Sequence, residues 1–266
     1  MKSAVRPVAK PVPDFLKNWK TIAEKIRAHQ RVTIFLDFDG TLVDIVPRPD
    51  QVRLTPAARK ILRRLARNRR ATLVVVSGRR RPELLKYIGI PGIHYYGLYG
   101  WERNAKSSLP SRVGRALQRA HAHLKRLLEA YPSVWIENKH NSFSVHLLDV
   151  PKAQQHRVRA ELRGGLLPFR KTLHAVENIR DVEILPRSIP GKGQAVTRFL
   201  AQAAHRKSFP LYFGDDFSDE SGFAAAGRGA SIQVGRPRPT KARYNVRTPA
   251  EVTTALTKLE ALLSQP

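Results

Sequence analysis

Two carboxylates one residue apart, Asp37 and Asp39, follow the apolar run Val32-Thr33-Ile34-Phe35-Leu36 and precede Gly40-Thr41. A short β-branched and aromatic run reads as a buried parallel strand, and the glycine behind it ends the strand. The acid pair is thereby delivered to the carboxyl end of a strand, the edge where open α/β sheets hold their ligands. Acids this close repel one another unless positive charge lies between them. A hard divalent cation with oxygen ligands meets that need. A plain surface turn would carry the same letters, since Asp-Gly is a common turn dipeptide.

Three downstream segments bear on the choice. The run Leu73-Val74-Val75-Val76 is a second strand ending in a hydroxyl, Ser77, followed by Gly78 and Arg79. Lys192 sits between Gly191 and Gly193 at the start of a helical pattern. Phe213-Gly214-Asp215-Asp216-Phe217-Ser218-Asp219-Glu220 is an acidic cluster behind another apolar run. Ser77 could instead cap the next helix. Lys192 could be a surface lysine, although a cation at a helix N-terminus is electrostatically disfavoured and calls for a reason.

The elements that must position these residues alternate. Residues 14–29 read as an amphipathic helix, then strand 32–37, helix 56–67, strand 71–76, helix 81–88 and strand 93–98. That rhythm implies a parallel sheet with helices on both faces. It changes after Glu102: helix 112–130, strands 133–138 and 142–149, a helix at 152–163 ended by Gly164-Gly165, then strands 172–177 and 181–186. From Gly191 the first rhythm resumes with helix 192–205, strand 210–214, helix 218–226, strand 230–234 and helix 249–263. The expected fold class is α/β, a Rossmann-like parallel-sheet hydrolase core with an inserted αββαββ cap domain. The core comprises residues 1–105, with 1–13 a loose basic tail, and 187–266; the cap is 106–186, joined by crossings near Ala105 and Pro186.

The chain has 266 residues, no cysteine and a net charge of +27 from 48 Lys and Arg against 21 Asp and Glu. Without cysteine there is no disulfide, no thiolate zinc site and no thiol nucleophile. No apolar run reaches the length of a membrane helix. The basic N-terminal stretch lacks the apolar segment of a secretory signal, so the cytoplasm is the default expectation and no membrane partner is expected. A charge this high raises a nucleic-acid reading. The aromatic stacking motifs of RNA-binding modules are missing, however, so a solvated basic surface that also draws in phosphorylated substrates is preferred, with no specific nucleic-acid partner.

In order and type the four segments resemble the motifs of the haloacid-dehalogenase-like phosphohydrolases. Within that superfamily the chain resembles the trehalose-6-phosphate phosphatase family over about residues 31–260. The cues are Ser77-Gly78-Arg79, Gly97-Leu98-Tyr99-Gly100-Trp101-Glu102, Glu137-Asn138-Lys139 with Ser144-Val145-His146, and Glu183-Ile184-Leu185-Pro186 ahead of Gly191-Lys192-Gly193. Tyr99 stands where the family usually has a histidine, and Ser221 where it often has an acid. The resemblance implies a Mg²⁺-dependent phosphatase in which Asp37 attacks phosphorus and Asp39 is the acid and base. It further implies that Ser77 and Lys192 hold phosphoryl oxygens, and that Asp37, Asp215 and the backbone carbonyl of Asp39 bind the metal. Glu137, Lys139 and Glu183 would grip the sugar from one face of the cap sheet, with Arg79 and Glu102 at the cleft rim. Asp216 and Asp219 would orient the loop or a neighbour rather than bind metal, and His140 and His146 would be structural. The partner expected is a small sugar phosphate, with a trehalose-6-phosphate synthase as functional companion and a monomeric state. A phosphatase for sucrose 6-phosphate or a glucosyl- or mannosyl-glycerate phosphate would share the core residues. A basic nucleic-acid-binding protein on the same fold stays as the distant alternative.

Overall fold

The computed structural model describes residues 12–46, 48–103, 109–189 and 191–265. Most of the expected tail (1–11), the crossing near Ala105, and Pro190 lie outside the described residues. The chain begins with α1 (Trp19–Arg27), β1 (Val32–Leu36), α2 (Pro56–Arg67), β2 (Ala71–Val76), α3 (Arg81–Tyr87) and β3 (Ile93–Tyr96). A second group follows: α4 (Ser111–Leu127), β4 (Trp135–Asn138), β5 (Phe143–His146), α5 (Lys152–Leu166), β6 (Leu173–Glu177) and β7 (Asp181–Pro186). The first pattern then resumes with α6 (Lys192–Leu200), β8 (Phe209–Gly214), α7 (Glu220–Ala225), β9 (Ala230–Val234), β10 (Tyr244–Val246) and α8 (Pro249–Leu263).

Six strands pair in parallel in the order β10-β9-β8-β1-β2-β3. β1 lies in the middle, and all five of its residues are buried. Successive side chains leave a strand on opposite faces, so each face needs its own cover. Val32, Ile34 and Leu36 pack with Ile22 and Ile26 of α1, Ile61, Leu62 and Leu65 of α2, and Leu256 and Leu259 of α8. Phe35 packs on the other side with Val196, Phe199 and Leu200 of α6 and Phe223 of α7. The result is the expected three-layer α/β core. No helix among the described residues is long and apolar enough to cross a membrane.

The second sheet is antiparallel, in the order β4-β5-β7-β6. Its apolar face, with Phe143, Val145, Val182 and Ile184, packs on Leu117, Ala120 and Leu124 of α4 and Val158, Leu162 and Leu166 of α5. The opposite face carries two cross-strand rows, Trp135, His146 and Asp181, then Glu137, Ser144 and Glu183.

Several expectations need correction. The first helix starts at Trp19 rather than residue 14. The backbone before it is captured by β10: Asn245 N donates to Pro13 O at 3.0 Å and Phe15 N to Asn245 O at 2.9 Å. The strand expected over 93–98 stops at Tyr96, because the chain folds back onto the β2 loop, Leu98 N donating to Arg79 O and Tyr99 N to Ser77 O, each at 2.9 Å. α6 ends at Leu200 rather than 205, where bonds three residues back, such as His205 N to Gln202 O, replace the helical pattern. α5 runs straight through Gly164-Gly165. Gly165 serves helix packing there, since a Cβ would stand 2.7 Å from both Leu124 Cδ2 and Leu127 Cδ2 of α4. Gly165→Val should therefore lower stability by about 1–3 kcal/mol through overpacking. A denaturant midpoint equal to wild type would refute that close approach.

Candidate active site

β1 and β8 run side by side and in parallel, so their carboxyl ends deliver Asp37 and Asp215 to one edge of the sheet. The loop after Asp37 passes close to Asp215. A Cβ at Gly40, whose φ is +78°, would stand 2.1 Å from Asp215 Oδ2, so glycine is required by both conformation and space. Asp37 is only 4% exposed. Burial pushes its carboxyl up to about 7 against the opposing pull of Lys192. Asp215 is raised by burial and then by the Asp37 charge.

Lys192, the first residue of α6, is 3% exposed and donates from Nζ to Asp37 Oδ1 and Asp219 Oδ1, each at 2.7 Å. This supplies the reason for a cation at a helix N-terminus: burial works against its charge, and the two carboxylates more than restore it. Asp219 is fully buried and also accepts from Tyr212 Oη at 2.7 Å and Asp216 N at 3.1 Å. It is the anchor of the lysine. Asp216 caps the turn at Phe217 and accepts Ile179 N at 2.7 Å, tying the β6–β7 turn to the core. In the same turn Asn178 Nδ2 donates to Tyr99 Oη at 3.2 Å, and Arg180 Nη1 lies 3.6 Å from Asp215 Oδ2.

Asp37, Asp215 and Asp219 each offer an oxygen within 4.8 Å of the others. Three crowded carboxylates, faced by the Lys192 ammonium and the Arg180 guanidinium, form an oxygen donor set that suits a hard divalent cation. Asp219 is occupied by Lys192, Tyr212 and Asp216 N, which leaves Asp37 and Asp215 as the pair to hold one.

Ser77 is buried at the end of β2, and its Oγ accepts Arg79 N at 3.1 Å. Arg79 grips Asp39 with both arms of its fork, Nε to Oδ2 and Nη2 to Oδ1, each at 2.7 Å. Its guanidinium also lies over the rings of Phe38 and Tyr87. Ser77, Arg79, Asp39, Lys192 and Asp215 line one cleft together with Glu137, Lys139 and His146 from the second sheet.

The cap residues separate into two roles. Glu137 lines the cleft and accepts from, or is paired with, His146 Nε2 at 3.0 Å. Burial pushes its carboxyl up, but His146 and Lys139 outweigh that and hold it below the ordinary value. Lys139 lies one residue past the end of β4 rather than inside the strand, yet it reaches the same face, with Nζ 2.8 Å from Glu183 Oε2 and 3.9 Å from Glu137 Oε2. Glu183 is fully buried and lies behind the cleft rather than in it. Ser142 Oγ donates to its Oε1 at 2.5 Å, and Lys139 and Ser144 donate to its Oε2. Glu183, expected to touch the sugar, thus accepts hydrogen bonds from neighbouring side chains on both its oxygens.

Glu102, expected at the cleft rim, does not line the cleft. It is buried away from the cleft, its Oε2 accepting Arg81 N at 2.7 Å and its Oε1 Arg80 Nε at 3.4 Å, and so it holds the start of α3. His140 lies outside this cleft, whereas His146 lines it. Trp135, Asn178, Arg180 and Asp181 also line it, and none was singled out in the sequence. The signal for Trp135 was the alternation of β4, which puts it on the same face as Glu137.

A parallel sheet with paired acids and a buried lysine at its carboxyl edge, and a second α/β unit inserted in the chain, give the fold of the haloacid-dehalogenase-like hydrolases. The fold is shared with the trehalose-6-phosphate phosphatase C-terminal domain of C. albicans, with a TM-score of 0.81, 19% identity, and 94% of this chain and 98% of that one covered. Residues 35–253 match the model of the trehalose-phosphatase family, and the chain belongs to that family. Its relatives include the trehalose-phosphate phosphatase of Mycobacterium tuberculosis (strain ATCC 25618 / H37Rv), 32% identical over 233 residues, 82% of this chain and 59% of the relative. A probable trehalose-phosphate phosphatase 9 of Oryza sativa subsp. japonica is 29% identical, over 93% of this chain and 74% of the relative. The chain thus spans less than two thirds of the length of the mycobacterial relative.

Proposed function

We propose that the chain is a magnesium-dependent phosphomonoesterase that converts trehalose 6-phosphate into trehalose and phosphate, with residues 106–186 as the cap over its cleft. The observation that carries this reading is the buried row Asp37–Lys192–Asp219 beside Asp215, found in a member of the trehalose-phosphatase family. The names of the mycobacterial and rice relatives supply the sugar.

Phosphate monoesters react slowly because the dianion repels nucleophiles, so the site must offer positive charge. Lys192 occupies Oδ1 of Asp37, which leaves Oδ2 to bond to phosphorus while the bond from phosphorus to the sugar oxygen breaks. Asp39 gives that oxygen a proton, then takes one from the water that hydrolyses the aspartyl-phosphate. In the structure both Asp39 oxygens accept from Arg79, and opening that fork would free Asp39 for the proton step. A phosphate dianion is the natural competitor for the guanidinium, which makes substrate entry the trigger that releases Asp39. Ser77 Oγ and Lys192 Nζ bind phosphoryl oxygens. Magnesium held by Asp37, Asp215 and the Asp39 carbonyl would separate the carboxylates and polarise the phosphoryl group.

Phosphate release across a panel containing trehalose 6-phosphate, sucrose 6-phosphate and glucosylglycerate phosphate, with and without Mg²⁺, tests the reading. Preference for trehalose 6-phosphate in Mg²⁺ is expected, and preference for another ester overturns the choice of sugar. Independently of turnover, saturating Mg²⁺ should raise the melting temperature by about 5 °C or more, since it binds the folded state. Asp215→Asn should lose that rise. An equal rise in the variant would move the metal elsewhere.

A further inference from the structure

We infer that Trp135, stacked on His146, is a platform for the apolar face of the sugar ring remote from the phosphate. The inference rests on the sugar-phosphate reading above and deepens it. Trp135 is 48% exposed yet lines the cleft, on the same strand and the same face as Glu137. Its ring lies flat on the imidazole of His146, with centroids 4.3 Å apart and planes at 19°. His146 is fixed from behind by Glu137 Oε2 at 3.0 Å, so the stack is oriented before any ligand arrives. Leu148, 47% exposed, lines the same stretch of the cleft.

This is an apolar patch on an otherwise polar sheet face. A ligand site of mostly flat apolar surface with a few placed polar groups is how small molecules are held and oriented. A pyranose suits it, because its ring carbons present C–H bonds above and below while its hydroxyls point outward. The indole takes the C–H face, and Glu137 and Lys139, one and two steps along the same face, take hydroxyls. Placement agrees. Trp135 is on edge strand β4, about 10 Å by strand spacing from Asp181 on β7, whose turn meets the phosphate-handling core. The ring therefore covers the far side of the cleft from that contact.

The test compares wild type, Trp135→Leu and Trp135→Phe. Leucine keeps apolar bulk without a flat face; phenylalanine keeps the face. Trp135→Leu should raise KM for trehalose 6-phosphate roughly tenfold with a smaller change in kcat, and Trp135→Phe should change KM far less. Free trehalose should alter the tryptophan emission of wild type and leave that of Trp135→Phe, which retains Trp19 and Trp101, nearly unchanged. A wild-type KM in Trp135→Leu overturns the platform, as does an emission change in Trp135→Phe as large as in wild type. If wild type spares trehalose 6-phosphate but cleaves another sugar phosphate, only the choice of sugar falls. The variants are then compared on that ester with the same two outcomes.

Discussion

Asp37→Asn is expected to cut turnover by at least ~10³-fold while leaving the protein folded, as loss of a nucleophile does. Asparagine has nearly the same volume, and its amide oxygen still accepts from Lys192, whose second partner Asp219 remains in place. The substitution also removes one of three crowded carboxylates, two of them buried, so the folded state has less repulsion to overcome. Melting temperature should be equal to wild type or higher. Steady-state phosphate release and a melting curve on the same preparation decide the matter. Multiple turnovers by a clean, folded variant would show that Asp37 is not the attacking group. Loss of folding would show instead that its charge is needed to offset Lys192.

The parts of this site that were legible in the sequence are those carried by local pattern. β1 and β2 are largely apolar runs, and the residues named from spacing, Asp37 and Ser77, directly follow their last residues, Leu36 and Val76. The odd position of Lys192 at a helix start called for a reason, and two buried carboxylates supply it. Long-range pairing was not legible. Nothing local says that Arg79 will clamp Asp39 forty residues away, or that Asp219 rather than Asp216 will anchor Lys192. Glu102 was misplaced because a buried carboxylate that holds a helix start has the same spacing from a strand as one at a cleft rim. β10 was missed because Tyr244–Val246 is too short for any period to show. Gly164-Gly165 misled because the pair looks like a helix stop, whereas the constraint on Gly165 lies in the neighbouring helix. Trp135 escaped notice because a lone exposed aromatic is ordinary until the sheet face is known.

The cap sheet shows how a buried charge can act at one remove, and Glu183→Ala makes that measurable. Glu183 takes both its oxygens from the cleft and uses them on Ser142, Ser144 and Lys139. Lys139 is in turn held charged, burial opposing it and Glu183, Asp181 and Glu137 prevailing. Truncating Glu183 leaves that ammonium and two hydroxyls without their shared acceptor, which should cost about 3–5 kcal/mol of stability. Lys139→Ala removes the group that lines the cleft and should lower kcat/KM for trehalose 6-phosphate by about tenfold or more, or ~1.4 kcal/mol. If Glu183 acts on substrate through Lys139, to which it is bonded, the double variant should lose no more kcat/KM than the worse single one. Additive losses in that cycle would mean that Glu183 has its own contact with the sugar. A Glu183→Ala protein with wild-type stability would mean that the Lys139 ammonium finds enough support in Glu137 and Asp181 alone.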